Sequence, residues 1–353
     1  MINKKILFLT KCRNIYGKGC HHHSSQPPFS SGLYNSANFI HQMLLKEGIT
    51  SKLVDVVDNN DIDREVHQFK PDVVIIEALW VVPEKFDILH KLHPTVKWVI
   101  RIHSEIPFLS NEGISINWIK KYHANFNKNN INVSFNSLKT KNDFSNLFSP
   151  FDENIIYLPN YYPISHKIKK TNIVDKDENI LNVGCFGAIR PMKNHLIQAM
   201  AAIKYASEND LNLNFHINTG RIESGEQVYK NLCSLFDGCS PKFNLICHDW
   251  LEHKKFIELI KTMDIGLQVS FSETFNIVAA DFVDNEIPIV TSNQIKWVSS
   301  MFYADPTNID DLVKKMKWAI NFKKLPTIDI NKRRLKLFCK HSKEEWLDFL
   351  DKI

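Results

Sequence analysis

Residues Met263 to Ser292 read MDIGLQVSFSETFNIVAADFVDNEIPIVTS, and the apolar period changes twice along them. Ile265, Leu267 and Val269 alternate, which predicts a short strand ending near Ser270. Phe275, Val278, Ala279, Phe282 and Val283 then recur at helical spacing, and Ile287 to Val290 start a second β-like run after Asn285. Strand, helix, strand is one βαβ unit, so the chain is expected to be α/β. Two acids frame the helix. Glu273 lies just ahead of it and Asp281 eight positions later, which sets them about 12 Å apart along a helix axis. Between them the N–H groups of Thr274, Phe275 and Asn276 open the helix, and a helix N-terminus favours phosphate. Sugar hydroxyls on one acid, a diphosphate on the amides and a ribose on the other acid describe a nucleotide sugar. The same residues also fit a plain helix in which Ser272 or Thr274 is the cap and both acids are solvated.

A length of 353 residues suits two domains better than one core. With 44% hydrophobic and 24% charged residues the composition is that of a globular protein, and no apolar run reaches the length of a membrane span. The opening MINKKILFLTKC has an apolar core of only about five residues, too short for a signal peptide, and reads as a first strand. Seven Cys without CxxC pairs point to reduced thiols in a cytosol. The net charge of +5 favours an anionic nucleotide or a polyanionic acceptor without choosing between them.

Lys5 to Leu9 is a strand followed by a long polar loop to about Ser31, and loops of that length inside a domain are usually functional. Gly32 precedes a helix over Asn35 to Glu47. Gly17, Gly19 and Gly32 form neither GxGxxG nor a Walker A loop. Cys12, Cys20, His21, His22 and His23 invite a metal reading, but adjacent histidines diverge and no second Cys–His group follows at ligand spacing, so no metal is expected. Asp61-Ile62-Asp63 is formally a D-x-D, yet it opens a helix, where capping explains it. Val73 to Ile76 ends in Glu77 and Lys97 to Ile102 ends in His103. Ligands of open α/β sheets gather at such strand ends, although a lone His there is more often a core residue.

An acid, seven residues, an acid, then Pro288 before a β-like run resembles the signature of retaining GT-B nucleotide-sugar glycosyltransferases, specifically glycosyltransferase family 4. Glu273, Phe275, Asn276, Asp281 and Pro288 fall on it. Asp281 departs from the usual Glu, and Glu286 from the usual Gly. VIRIHSEIP resembles the family strand that ends in a sugar-contacting histidine, which selects His103. GAIRPMKN, from Gly187, resembles the diphosphate loop: Lys193 falls on its phosphate-binding lysine, while Ala188 replaces an Arg that Arg190 would substitute. An Arg fork beside a Lys point charge suits a diphosphate. Trp250 or Leu251 would cover the nucleobase. On the acceptor side the resemblance implies Gly32, Glu77 and Tyr161, the last standing where the family usually has Gly.

The resemblance implies two Rossmann-like domains facing a cleft: residues 1–165 for the acceptor, a linker at 166–178, residues 179–335 for the nucleotide sugar, and a helix at 336–353 crossing back to the first domain. It implies metal-independent transfer with retention from a UDP-sugar co-substrate, with no other cofactor and no membrane span. His103 and Glu273 would be the catalytic residues, Glu273 holding sugar hydroxyls and Asp281 the ribose. RIHSEIPFLSNEG and SETFNIVAADF are also similar to phage-borne glycosyltransferases, some of which modify hydroxymethylcytosine, so DNA joins polysaccharides and small molecules as an acceptor. A sugar-nucleotide epimerase and a degenerate GT-B domain that binds without turnover are the rival functions.

Overall fold

The computed structural model describes residues 4–12, 32–165, 177–322 and 329–353. Gly17, Gly19, Cys20, His21, His22, His23 and most of the expected linker lie outside the described residues. The chain divides into two compact units, Met1–Pro163 with Phe338–Ile353, and Ile164–Leu337.

In the first unit six strands form one sheet: β1 (Lys5–Lys11), β2 (Thr50–Val56), β3 (Val73–Glu77), β4 (Lys97–Ile102), β5 (Ile131–Phe135) and β6 (Ile155–Tyr157). Their order is β2-β1-β3-β4-β5-β6 and every pairing is parallel. Strands this apolar are buried on both faces. Successive side chains divide between the faces: Ile6, Phe8, Val73, Ile75 and Val99 belong to one core cluster, and Leu7, Leu9, Val74, Ile76, Ile100 and Ile102 to the other. The first cluster takes in Ala37, Ile40, Met43 and Leu44 of the helix Gly32–Lys46 and Trp346 and Leu350 of the last helix, Asp329–Asp351. Trp346 is fully buried, with its ring 5.8 Å from Phe8 and its indole N–H donating to the Pro159 carbonyl at 2.9 Å.

The second unit holds β7 (Ile180–Gly184), β8 (Asn212–Asn218), β9 (Phe243–His248), β10 (Ile265–Gln268) and β11 (Ile289–Thr291), in the order β11-β10-β7-β8-β9 and parallel throughout. Each sheet reverses its winding once, between β1 and β3 in the first unit and between β7 and β10 in the second. Doubly wound sheets bind ligands outside the carboxyl ends of the strands at such a point.

The βαβ unit expected from Met263 to Ser292 is present as β10, the helix Ile277–Asp284 and β11. Its helix starts later than the periodicity suggests, and its cap is Asn276 rather than Ser272 or Thr274. Asn276 has φ 62°, a conformation Asn tolerates, and its Oδ1 accepts from the Ala279 N–H at 2.9 Å while its amide donates to Gln268 at 2.8 Å. Thr274, Phe275 and Asn276 therefore precede the helix and do not supply its first-turn amides. The helix packs close to the sheet through Phe282: a Cβ on Gly266 would lie 2.7 Å from that ring and one on Gly184 2.8 Å.

Cys12 is disulfide-bonded, which corrects the expectation of uniformly reduced thiols: cysteine spacing alone does not encode pairing. Cys185, Cys233, Cys239, Cys247 and Cys339 are not in disulfides. Among the described residues no helix is long and apolar enough to cross a membrane.

Candidate active site

The loop after β7 turns through Gly187, at φ 120°, where a side chain would be strained. The Gly187 N–H donates to Asn218 Oδ1 at 3.1 Å, and a short 3-10 turn, Pro191–Lys193, follows. Asn194, at φ 59°, fixes the end of this loop by donating to the carbonyls of Val269 (3.0 Å) and Pro306 (2.8 Å). Thus the loop after β7 is tied to the end of β10, across the winding reversal. There the Lys193 ammonium is ion-paired with the Glu273 carboxylate, both side chains largely shielded at 17% and 11% exposed. The two charged residues singled out most strongly in the sequence are in direct contact.

Arg190 belongs to a second group. It is ion-paired with Glu223, whose carboxylate also takes Arg221, and the Arg221 guanidinium lies 5.5 Å from the Trp250 ring. Trp250 in turn packs on Gly220, where any Cβ would meet the Trp250 backbone nitrogen at 2.5 Å. Leu251 is half-buried beside it in sequence. Glu223 joins two residues that loop composition alone leaves unconnected.

Asp281 forms a third group. It is 1% exposed and its carboxylate accepts from His253 Nε2 at 2.8 Å. Burial pulls the His253 pKa down, but the Asp281 hydrogen bond and charge outweigh it and leave it raised. The two acids thus differ from the solvated pair considered above: one faces a lysine, the other a histidine that is 28 residues away and carries no local signal. Phe275 is core, with its ring 5.7 Å from Trp297 and its carbonyl accepting from the Trp297 indole at 2.7 Å. Thr274 is half-buried.

In the first unit, Glu77 at the end of β3 and Arg101 in β4 are both 0% exposed. The Arg101 guanidinium donates to Glu77 at 3.0 and 3.2 Å, to Asn160 Oδ1 at 2.5 Å and through Nε to the Leu158 carbonyl at 3.0 Å, and it lies 5.4 Å from the Trp346 ring. His103 closes the group: its Nε2 contacts Glu77 and lies 3.3 Å from Arg101, and its Nδ1 is 3.4 Å from the Asn136 amide. Asn136 also donates to Asn160 Oδ1 at 3.2 Å, as does Ser36 at 3.1 Å. Burial alone would raise the Glu77 carboxyl, but Arg101 and His103 hold it below the usual range. Burial, then the Arg101 charge, lower the His103 pKa, and Glu77 offsets them only in part.

With no exposed surface, Glu77 cannot touch an acceptor directly; it lies beneath His103, which is 15% exposed. Tyr161, next in sequence to Asn160, packs against the core cluster that contains Trp346. Gly32 is the exposed first residue of its helix, and a Cβ there would meet nothing within 4 Å. Arg101 is the residue the sequence reading passed over; its signal is a guanidinium inside the otherwise apolar run VIRIH. Among the described residues no group of three or more His, Cys, Asp or Glu is placed to hold a metal ion.

No family model and no curated protein matches the sequence. Solved structures do match in shape. An OtsA apo structure aligns with TM-score 0.69 at 12% identity, covering 99% of this chain and 100% of that one. A trehalose-6-phosphate structure from E. coli bound with UDP-2-fluoro glucose aligns at 0.67 and 10% identity, covering 99% of each. Anabaena Alr3699/HepE in complex with UDP-glucose aligns at 0.66 and 15% identity, covering 99% and 100%. The fold is GT-B. At these identities the likeness carries the fold, and the chemistry rests on the side chains of this chain.

Proposed function

We propose that this GT-B chain is a glycosyltransferase that moves a sugar from a nucleoside diphosphate, with UDP the expected nucleotide, to an acceptor hydroxyl with retention and without a metal. The observation that carries the reading is the Lys193–Glu273 contact at the winding reversal of the second sheet. A cation and a carboxylate side by side there suit a donor whose diphosphate takes the one and whose sugar hydroxyls take the other. Lys193 would offset the charge that develops on the leaving diphosphate. Arg190, held by Glu223, adds a second cation, and Arg221 with Trp250 offers a stacked surface for a base. Asp281 reaches the ribose through or beside His253, the more exposed member of that pair. The first unit supplies the acceptor side through His103. Among the described residues five cysteines outside any disulfide fit a cytoplasmic setting, against which the Cys12 disulfide stands.

The test is to incubate the chain with UDP-glucose and other nucleotide sugars and follow products by mass spectrometry, with and without hydroxymethylated duplex DNA, polysaccharide and small hydroxylated acceptors. Transfer or slow donor hydrolysis that is lost in Glu273→Ala supports the reading. Acceptor-independent isomerisation would make the chain an epimerase, and binding without turnover a degenerate domain. A gel shift with duplex DNA that weakens steeply with salt would support the nucleic-acid acceptor.

A further inference from the structure

The polar group around His103 does more than fill the core. Two full charges with no exposed surface are costly to bury, and a hydrophobic pair of the same volume is often as stable. Such a pair calls for a use. The protons settle what it can do. Arg101 only donates and the ionised Glu77 only accepts. His103 Nε2 touches the Glu77 carboxylate, and two acceptors cannot share that contact, so Nε2 carries a proton. Arg101 Nη1 lies 3.3 Å from the same Nε2, but its two N–H groups have the Glu77 oxygens as acceptors at 3.0 and 3.2 Å, so the closer Glu77 contact decides. Nδ1 faces the Asn136 Nδ2 group at 3.4 Å. The orientation of that amide is fixed independently, because the same Nδ2 donates to Asn160 Oδ1 at 3.2 Å, and Asn160 Oδ1 in turn accepts from Arg101 and Ser36. A donor opposite Nδ1 requires a lone pair there. With the Glu77 contact deciding Nε2 and the Asn136 donor facing Nδ1, the ring is a neutral imidazole protonated at Nε2.

We infer that Glu77 and Arg101 are positioning residues that fix the ring of His103 and hold it as the neutral Nε2–H tautomer, so that a substrate hydroxyl can replace the 3.4 Å Asn136 contact and donate to Nδ1, Asn136 keeping its bond to Asn160. Glu77 supplies the acceptor for Nε2–H. Arg101 balances the carboxylate charge and, through Asn160, orients the Asn136 amide. The arrangement selects a ligand class, a hydroxyl group that donates, and disfavours an anionic oxygen at the same place, which would meet a lone pair. The direction of the His103 pKa, below its ordinary value, agrees with a ring kept uncharged. The hydroxyl in question rests on the glycosyltransferase reading; the tautomer does not.

The experiment is a long-range proton–nitrogen NMR spectrum of the full chain labelled with 15N-histidine at pH 7, with the His103 signals identified by their loss in His103→Gln. The expected spectrum has a pyrrole-type Nε2 and a pyridine-type Nδ1. An imidazolium or an Nδ1–H ring overturns the inference, and this arm needs neither a substrate nor a Glu77 variant. Glu77→Gln, whose amide can donate as well as accept, is expected to give a mixture of tautomers that Glu77→Asp restores to one. With UDP-glucose hydrolysis as the activity readout, Glu77→Gln should lower kcat about 10-fold with little change in KM, as expected for a misplaced group rather than lost binding. A mixed tautomer with unchanged kcat overturns the positioning role. A wild type that never consumes UDP-glucose defeats the proposed function and leaves the tautomer result to decide this one.

Discussion

At the scale of single residues, Lys193 and Glu273 occupy each other in a position where a donor would occupy both. UDP alone can take Lys193 only by leaving a shielded carboxylate beside its own negative charge, whereas a UDP-sugar offers that carboxylate hydroxyls. Glu273→Gln is accordingly expected to bind UDP more tightly, by about 10-fold for a half-buried charge pair worth ~1 kcal/mol or slightly more, and to bind UDP-glucose more weakly. Calorimetric titration with both ligands checks this, and equal shifts for the two would sink it. Arg101 gives a stability prediction. Arg101→Met leaves the Glu77 carboxylate buried without its cation and should cost about 3–5 kcal/mol, while the double variant Glu77→Met/Arg101→Met should recover most of that in denaturant melts. Lys193, Glu273 and His103 could be picked out as candidates from the sequence because each stands at a strand end or in a recognisable loop. Arg101 and His253 were not, because their partners come from other elements: Arg101 and Glu77 are 24 residues apart, and His253 and Asp281 are 28. Glu223 has Arg221 two residues away, but its link to Arg190 is equally non-local. No local period records such pairings.

At the scale of elements, the βαβ unit from Met263 to Ser292 was readable because alternation and helical period are local signals. The helix start was misjudged for a physical reason: Asn276 in a left-handed conformation caps the helix with its own side chain, and the apolar residue Phe275 just before it packs into the core as if it were helical. The turn after the same helix carries a visible cost. Glu286 sits at φ 61°, where Gly is at ease and Glu is not. Its contact with Lys332 at 3.5 Å is partly exposed and offsets little. Glu286→Gly is therefore expected to raise stability by about 0.5–1 kcal/mol, read as a higher midpoint of denaturation, and a loss of stability would show the ion contact to matter more than the backbone. Gly266→Ala should act in the opposite sense, since its Cβ would come within 2.7 Å of Phe282. A smaller Leu at position 282 should relieve that clash.

At the scale of the whole molecule, the two parallel sheets followed from continuous apolar runs joined by amphipathic helices, and the strand order, which sets where each winding reverses, had to come from the coordinates. The loop between β1 and the helix Gly32–Lys46, prominent in the sequence for its Gly, His and Cys, lies outside the described residues. Buried histidines give the molecule a defined acid response. Burial, then Lys193, push the His195 pKa down to about 3, and burial, then His248, push His216 down to about 4. The unfolded chain takes up these protons near pH 6.5, whereas the folded chain refuses them until well below that. At these two groups the unfolded state thus binds more protons across the window, so their contribution to stability falls as pH drops from about 6.5 toward 4, by up to about 1.4 kcal/mol per pH unit for each, against the opposite contribution of His253. His195→Gln should flatten the fall of Tm over that range by about one proton's worth.

The most direct test of the central claim, that a nucleotide-sugar donor rests on the loop after β7 and the end of β10, is calorimetric titration of UDP-glucose into the wild type and Lys193→Ala. Saturable binding by the wild type, weakened about 10-fold or more in the variant, is the predicted result; equal affinities, or no binding by the wild type, would contradict it.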